Sequence, residues 1–190
     1  MKKSIALVMM AVLLVAASVM GTLAYLTSTD SVENTFTVGK VAITLDEAKV
    51  NEYGEAVTPA SRVEKNTYKL IPGHKYTKDP IVHFAAGSEA SWLFVKVENG
   101  IAAIEADTTI ASQIIANKWT ALDGETGVYY MKVAANATAA AMDYPVFGSF
   151  KLTDDAKVEN YATANVTVTA YAIQADGFTT AAVAWAEVSK

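Results

Sequence analysis

Asn165-Val166-Thr167-Val168-Thr169-Ala170-Tyr171-Ala172-Ile173 alternates in two halves, Val166 and Val168 with threonines and then Tyr171 and Ile173 with alanines. A period of two sends successive side chains to opposite faces, the pattern of a half-buried β-strand and not of a helix. Other strand-like runs lie upstream: Ile81-Val-His-Phe84, the more continuously apolar Trp92-Leu-Phe-Val-Lys-Val97, Val128-Tyr-Tyr-Met-Lys-Val133 and, after Pro145, Phe147 to Leu152. Their β-branched and aromatic content suits a pleated core. Leu70-Ile71-Pro72-Gly73 reads as a Pro-Gly turn closing a strand from Thr67 to Ile71. Between Asn34 and Leu45, Phe36, Val38, Val41, Ile43 and Leu45 alternate with polar residues around Gly39, which predicts a strand pair or one bulged strand.

The other segments punctuate these strands. Asp46 to Lys65 is polar and carries the turn signal Asn51-Glu-Tyr-Gly54, Asp123-Gly-Glu-Thr-Gly127 is a second turn, and the alanine-rich tract from Ala134 to Ala141 reads as a loop. Helical spacing occurs within Ile104 to Trp119, where Ile110, Ile114 and Ile115 recur and Thr108 or Thr109 can cap; Thr179 to Val188 can form a terminal helical turn capped at Thr179 or Thr180. Short strands spaced by turns, with so little helix, predict an all-β fold, a jelly-roll-like antiparallel β-sandwich with one or two short helices.

The N-terminus carries a different signal. Lys2 and Lys3 precede an apolar run from Ile5 to Met20, and Thr22-Leu23-Ala24 places small residues three and one positions before a cut. That order predicts a secretory signal peptide over residues 1–24, cleaved between Ala24 and Tyr25. As a helix the run reaches about 24 Å, short of the ~30 Å hydrocarbon core, so a permanent anchor is the weaker reading and no stable membrane span is expected after processing. The expected organisation is a signal peptide at 1–24, an extended arm at 25–36 and a sandwich domain at 37–190. Cleavage removes two of the 15 basic residues and none of the 20 acidic ones, deepening the net charge of -5. Such a chain is a poor partner for nucleic acid.

Catalytic and metal signatures are weak. There is no cysteine, hence no thiol chemistry and no thiolate metal site. His74 and His83 flank a predicted strand without a His-Glu-x-x-His helix or a third ligand at a recognisable spacing, and they read as one turn and one strand histidine on a solvated face. No Gly-x-Ser-x-Gly elbow occurs. Asp46-Glu47 and Asp154-Asp155 read as solvated acids in turns, and the turn at Asp123 lacks the alternating oxygen ligands of a calcium loop. Trp92, Trp119 and Trp185 could make a sugar-stacking platform, but Trp92 opens an apolar strand and Trp119 ends the helix, so these two read as core. Neither catalytic residues, nor a metal, nor a cofactor is expected.

Three blocks resemble the TasA/camelysin family of Gram-positive matrix and surface proteins: Gly21-Thr-Leu-Ala-Tyr25 with Asn34-Thr-Phe36 and Gly39-Lys-Val-Ala-Ile-Thr-Leu45; Leu70-Ile-Pro-Gly73 with Thr77-Lys-Asp79; and Val166-Thr-Val-Thr-Ala170-Tyr171. Glu98 to Ala164 matches none of the family's pattern. The resemblance implies export through a SipW-type signal peptidase to the biofilm matrix or cell surface, and a jelly-roll subunit of extracellular fibres that associates with itself or with paralogous matrix subunits. It also implies an N-terminal arm, here Tyr25 to about Phe36, taken up by a neighbouring subunit's sheet. An arm poor in apolar surface gains most at a sheet edge, where its main chain can bond and Leu26, Val32 and Phe36 can anchor. The alternative is a monomeric surface adhesin or glycan-binding module. A camelysin-type metalloprotease is a third and weaker reading, since the zinc ligands are missing.

Overall fold

The computed structural model describes residues 40–106 and 108–190, within a compact unit that spans Gly39–Lys190. Two four-stranded sheets and one two-stranded sheet, all antiparallel, make up the described chain, with two short α-helices. Strands β1 (Ile43–Ala48), β2 (Arg62–Val63), β4 (Ile81–Phe84) and β8 (Met142–Pro145) form the first sheet, in the order β2-β1-β4-β8. Strands β5 (Ser91–Asn99), β6 (Thr120–Ala121), β7 (Val128–Val133) and β10 (Val166–Gln174) form the second, in the order β10-β5-β7-β6. The remaining pair joins β3 (Lys75–Thr77) to β9 (Ser149–Lys151).

β5 organises both cores. Its register sets Leu93 beside Met131 and Ala172, and Val95 beside Tyr129 and Ala170, on one face. That face meets Val82 and Phe84 of β4 in the main core, so the two large sheets form a sandwich. The opposite face of β5 carries Trp92 and Phe94, which would be exposed in a plain two-layer fold. They are buried instead under the C-terminal helix α2 (Ala181–Val188), whose Trp185 ring lies 5.3 Å from Phe94 and 5.2 Å from Tyr171. Burial on both faces accounts for the nearly unbroken apolar run of this strand. Thr180 caps α2 by accepting from the Val183 amide, and Thr109 caps α1 (Ile110–Ala116) by accepting from Ser112.

The predicted strands at 81–84 and 128–133 occur with those ends, and those at 92–97 and 165–173 occur with ends moved by a residue or two. Trp92, Trp119 and Trp185 are all core residues. Four expectations need correction. Thr67 to Ile71 is not a strand, because its main chain is satisfied piecemeal: the Lys69 amide donates to the Glu52 carbonyl and the Ile71 amide to the Tyr76 hydroxyl. Gly73, at φ 72°, does form the expected turn; a Cβ there would run into the Asp154 carboxylate. β8 lies just past the alanine-rich tract, in a stretch where the sequence predicts no strand, and its terminal Pro145 is tolerated because β8 is an edge strand. Asp46 and Glu47 are not turn residues: both continue β1, and Glu47 is 4% exposed. His83 is not simply solvated, because two carboxylates hold its ring.

A row of charges crosses the outer face of the first sheet. Arg62 on β2 bonds Asp46 on β1 and approaches Asp79. His83 on β4 sits between Asp46 (Nε2 to Oδ1, 2.9 Å) and Asp143 on β8 (Nδ1 to Oδ1, 2.6 Å). Burial works against charge on His83, but the bonds to Asp46 and Asp143 outweigh it and raise its pKa above the ordinary value of 6.5. Burial likewise opposes ionisation of Asp46, and Arg62 and His83 overcome it and lower its pKa below 3.8.

A raised folded-state pKa means that the His83 contribution is complete below the unfolded value and lost as pH rises through the folded one; the Asp46 contribution is lost as pH falls through its depressed value. Stability should therefore peak in mildly acidic solution and decline through the neutral range. Denaturant unfolding between about pH 5 and about pH 9 should show His83→Gln with a flatter profile on the alkaline side, and equal slopes would refute the coupling. Trp185→Ala should cost roughly 3–5 kcal/mol and unmask tryptophan emission from Trp92, since it removes the ring that pins α2 to the sheet. A loss under about 1 kcal/mol by the same measurement would remove α2 from the core.

Candidate functional site

The four outer edges of the two large sheets are treated unequally. β2 and β6 have two residues each and β8 has four, ending on proline, whereas β10 has nine. Short strands and prolines blunt an edge against pairing with another chain. Among the described residues β10 pairs with β5 alone. At the ends of that ladder the Gly100 amide donates to the Asn165 carbonyl and the Ala175 amide to the Ala90 carbonyl. Since bonding alternates along an antiparallel pair, Thr167, Thr169, Tyr171 and Ile173 bond β5, and the amides and carbonyls of Val166, Val168, Ala170 and Ala172 point out along the free edge.

Those four residues also face the main core, yet each is only half-buried. Their partners Val97, Val95 and Leu93 on β5 are almost fully buried. β1 repeats the situation: Ile43 and Leu45 pack on the core but remain half-buried, and β2 covers only the far end of the strand, at Glu47 and Ala48. The sandwich is thus closed elsewhere and thinly covered along the side where β1 and β10 run. A cleft of about 1000 Å³ opens there, between Leu45 and Tyr68 on one wall and Val158, Tyr161, Val166 and Val168 on the other. Tyr76 stacked on Phe150 at 4.7 Å, with Tyr68 edge-on to both rings, closes one end of the core beside it.

The cleft is not uniformly apolar. Glu47 points inward, as the period that begins at Ile43 and Leu45 requires, and is held by Lys78 and Asn66. Tyr68 donates to the Thr77 carbonyl, and burial, assisted by the negative charge of Glu47 and Asp79, raises the pKa of its phenol. The period that carries Glu47 inward is present in Ile43-Thr-Leu-Asp-Glu47, but the polar segment downstream of it, from Lys49 to Lys65, masks it.

Ala24, Tyr25, Leu26, Val32 and Phe36, the residues that sequence reasoning assigns to cleavage and to the arm, lie outside the described residues. His74 and His83 are kept apart by their partners: His74 Nε2 meets the Tyr53 carbonyl at 2.9 Å, while His83 is committed to Asp46 and Asp143. Among the described residues no group of three His, Asp or Glu side chains is arranged to hold a metal ion, and no helix is long and apolar enough to cross a membrane. No family model, no curated protein and no solved structure matches the chain.

Proposed function

We propose that this chain is an exported structural protein, a subunit or accessory of extracellular matrix fibres, and that it assembles by strand addition. The arm Tyr25 to about Phe36 of one copy, or of a paralogous subunit, adds to β10 of the next. The observation that carries this reading is the row of core-facing but half-buried side chains at Val166, Val168, Ala170 and Ala172, whose main-chain groups face outward on an unblunted edge. A core of this kind is short of one strand.

The arm fits what is missing. Leu26, Val32 and Phe36 fall on the same side of an extended strand, because all three positions share one parity. Tyr25 to Phe36 spans about 40 Å when extended, against about 30 Å for β10, so the arm can cover the edge with residues to spare. Main-chain bonds would supply affinity and the three apolar anchors register. A head-to-tail contact that does not close on itself propagates as a filament. On this reading the jelly-roll form of the sandwich is completed between subunits, and cleavage between Ala24 and Tyr25 frees the arm. Signal processing would then license assembly. The role is structural, without catalysis or cofactor, and the location is the matrix or cell surface.

Deleting Tyr25 to Glu33 should leave a folded monomer that forms no filaments in electron micrographs. Ala170→Pro should do the same from the acceptor side, since it removes an edge-facing amide without touching the bonds to β5. In assembled wild-type protein the amides of Val166, Val168, Ala170 and Ala172 should exchange with solvent far more slowly than in the monomer. Filaments that persist in both variants would refute the mechanism.

A further inference from the structure

Glu47, Lys78 and Asn66 form a closed set that neither the charge row nor strand addition uses. Lys78 Nζ donates to Glu47 Oε2 at 2.6 Å, with the lysine side chain 11% and the glutamate side chain 5% exposed. The other carboxylate oxygen, Oε1, accepts from Asn66 Nδ2 at 3.0 Å and from the Asn66 main-chain amide at 3.1 Å. The Asn66 amide has one orientation, because Nδ2 also donates to the Ala48 carbonyl at 2.8 Å while Oδ1 accepts from the Val50 amide at 3.0 Å. A single carboxylate therefore bridges a lysine amine and a carboxamide nitrogen, and a main-chain N–H already rests on the carboxamide oxygen.

A buried ion pair is weak evidence for stability on its own, since desolvation offsets much of the attraction. This one has a further chemical capacity. We infer that Glu47, Lys78 and Asn66 are a self-modification site that forms an intramolecular amide between Lys78 Nζ and Asn66 Cγ. Glu47 takes a proton from the ammonium, which leaves a neutral amine beside a carboxylic acid. The amine nitrogen attacks Cγ, and the charge that develops on Oδ1 is met by the Val50 N–H, a donor already in place. As the tetrahedral centre collapses, the Cγ–Nδ2 bond breaks and Glu47 returns its proton to the departing nitrogen, which leaves as ammonia. The second proton lost from Nζ accompanies it. One C–N bond forms and one breaks, no electrons change hands, and no co-reactant is needed. Glu47 acts as general base and then as general acid, with all three groups held in place by the fold.

The product would tie the segment after β2 to the residue after β3, across the turn at Pro72-Gly73. In a chain with no cysteine it would be a covalent staple that reduction cannot open.

The test is the intact mass of purified wild-type protein, with its N-terminus established by peptide sequencing. The expected mass is that of the sequence less one ammonia. Trypsin should then yield Asn66–Lys69 joined to Tyr76–Lys96, uncut after Lys78. Lys78→Arg and Glu47→Gln should both restore the full mass and free the Asn66–Lys69 peptide. A wild-type mass equal to that of the unmodified sequence overturns the proposal, and so does an ammonia loss that maps elsewhere, for which Asn99-Gly100 is the obvious competing position. Because the wild-type map decides the matter, a variant that folds poorly does not rescue the idea. The outcome is also independent of whether the protein forms fibres.

Discussion

Burial of β5 on both faces is the constraint on which the rest of the architecture depends. Leu93, Val95 and Val97 commit one face to the space between the sheets, and Trp92 and Phe94 commit the other to α2. A strand with two apolar faces cannot stand at an edge or turn a side to water, so it must have neighbours on both sides and a layer above and below. β7 and β10 supply the first requirement, β4 and α2 the second. The C-terminal helix is then a necessary third layer over the second sheet. Each of its caps and rings has a place because Phe94 needs a cover.

The same constraint throws the weakness of β10 into relief. Held to β5 along nine residues, β10 is fixed in place and in register, and among the described residues it nevertheless has no second hydrogen-bonded strand. A mobile edge would lose little by staying unpaired. A rigid one, with core-facing valines half in water, presents a preorganised template whose ordering entropy has already been spent, which is the condition under which strand addition is most favourable. Rigidity from β5 and incompleteness at β10 are two consequences of one packing choice.

How much of the fold is legible in the sequence depends on whether periodicity and burial agree. In β10, alternation and structure coincide, and the strand can be read directly. The continuous apolar run of β5 announces a buried strand but not the identity of its second cover, because Ala181-Ala-Val-Ala-Trp185 is too short and too alanine-rich to declare an amphipathic face. β8 escapes notice because Met142-Asp-Tyr-Pro145 has only four residues and a proline; its position is set by the ladder to β4 and by the bond from Trp119 Nε1 to the Pro145 carbonyl, both contacts distant in sequence. Thr67 to Ile71 misleads for the reverse reason. Its local pattern is strand-like, with Tyr68 and Leu70 facing the core, but no ladder is within reach, so an extended segment results. Glu47 is the residue of the candidate site that sequence reasoning misses at greatest cost, because a polar side chain outranks the period that places it inside.

Edge treatment supports the proposal that β10 accepts a further strand. A sandwich of this size has several edges, and this chain shortens β2 and β6 to two residues and ends β8 on a proline. The means of protection are therefore available to the sequence and are used on three of the four outer edges. On β10 none of them appears: Val166 to Ile173 contains no proline, no glycine and no charged residue, and its solvent-side positions are threonines, which favour pairing. The absence of charge carries less weight than this contrast, since eight residues of a chain that is 18% charged would hold only one or two charges. The proposed uptake of a neighbouring strand is supported by length and by cover: β10 is the long edge, and its core-facing side chains are the ones left half-buried.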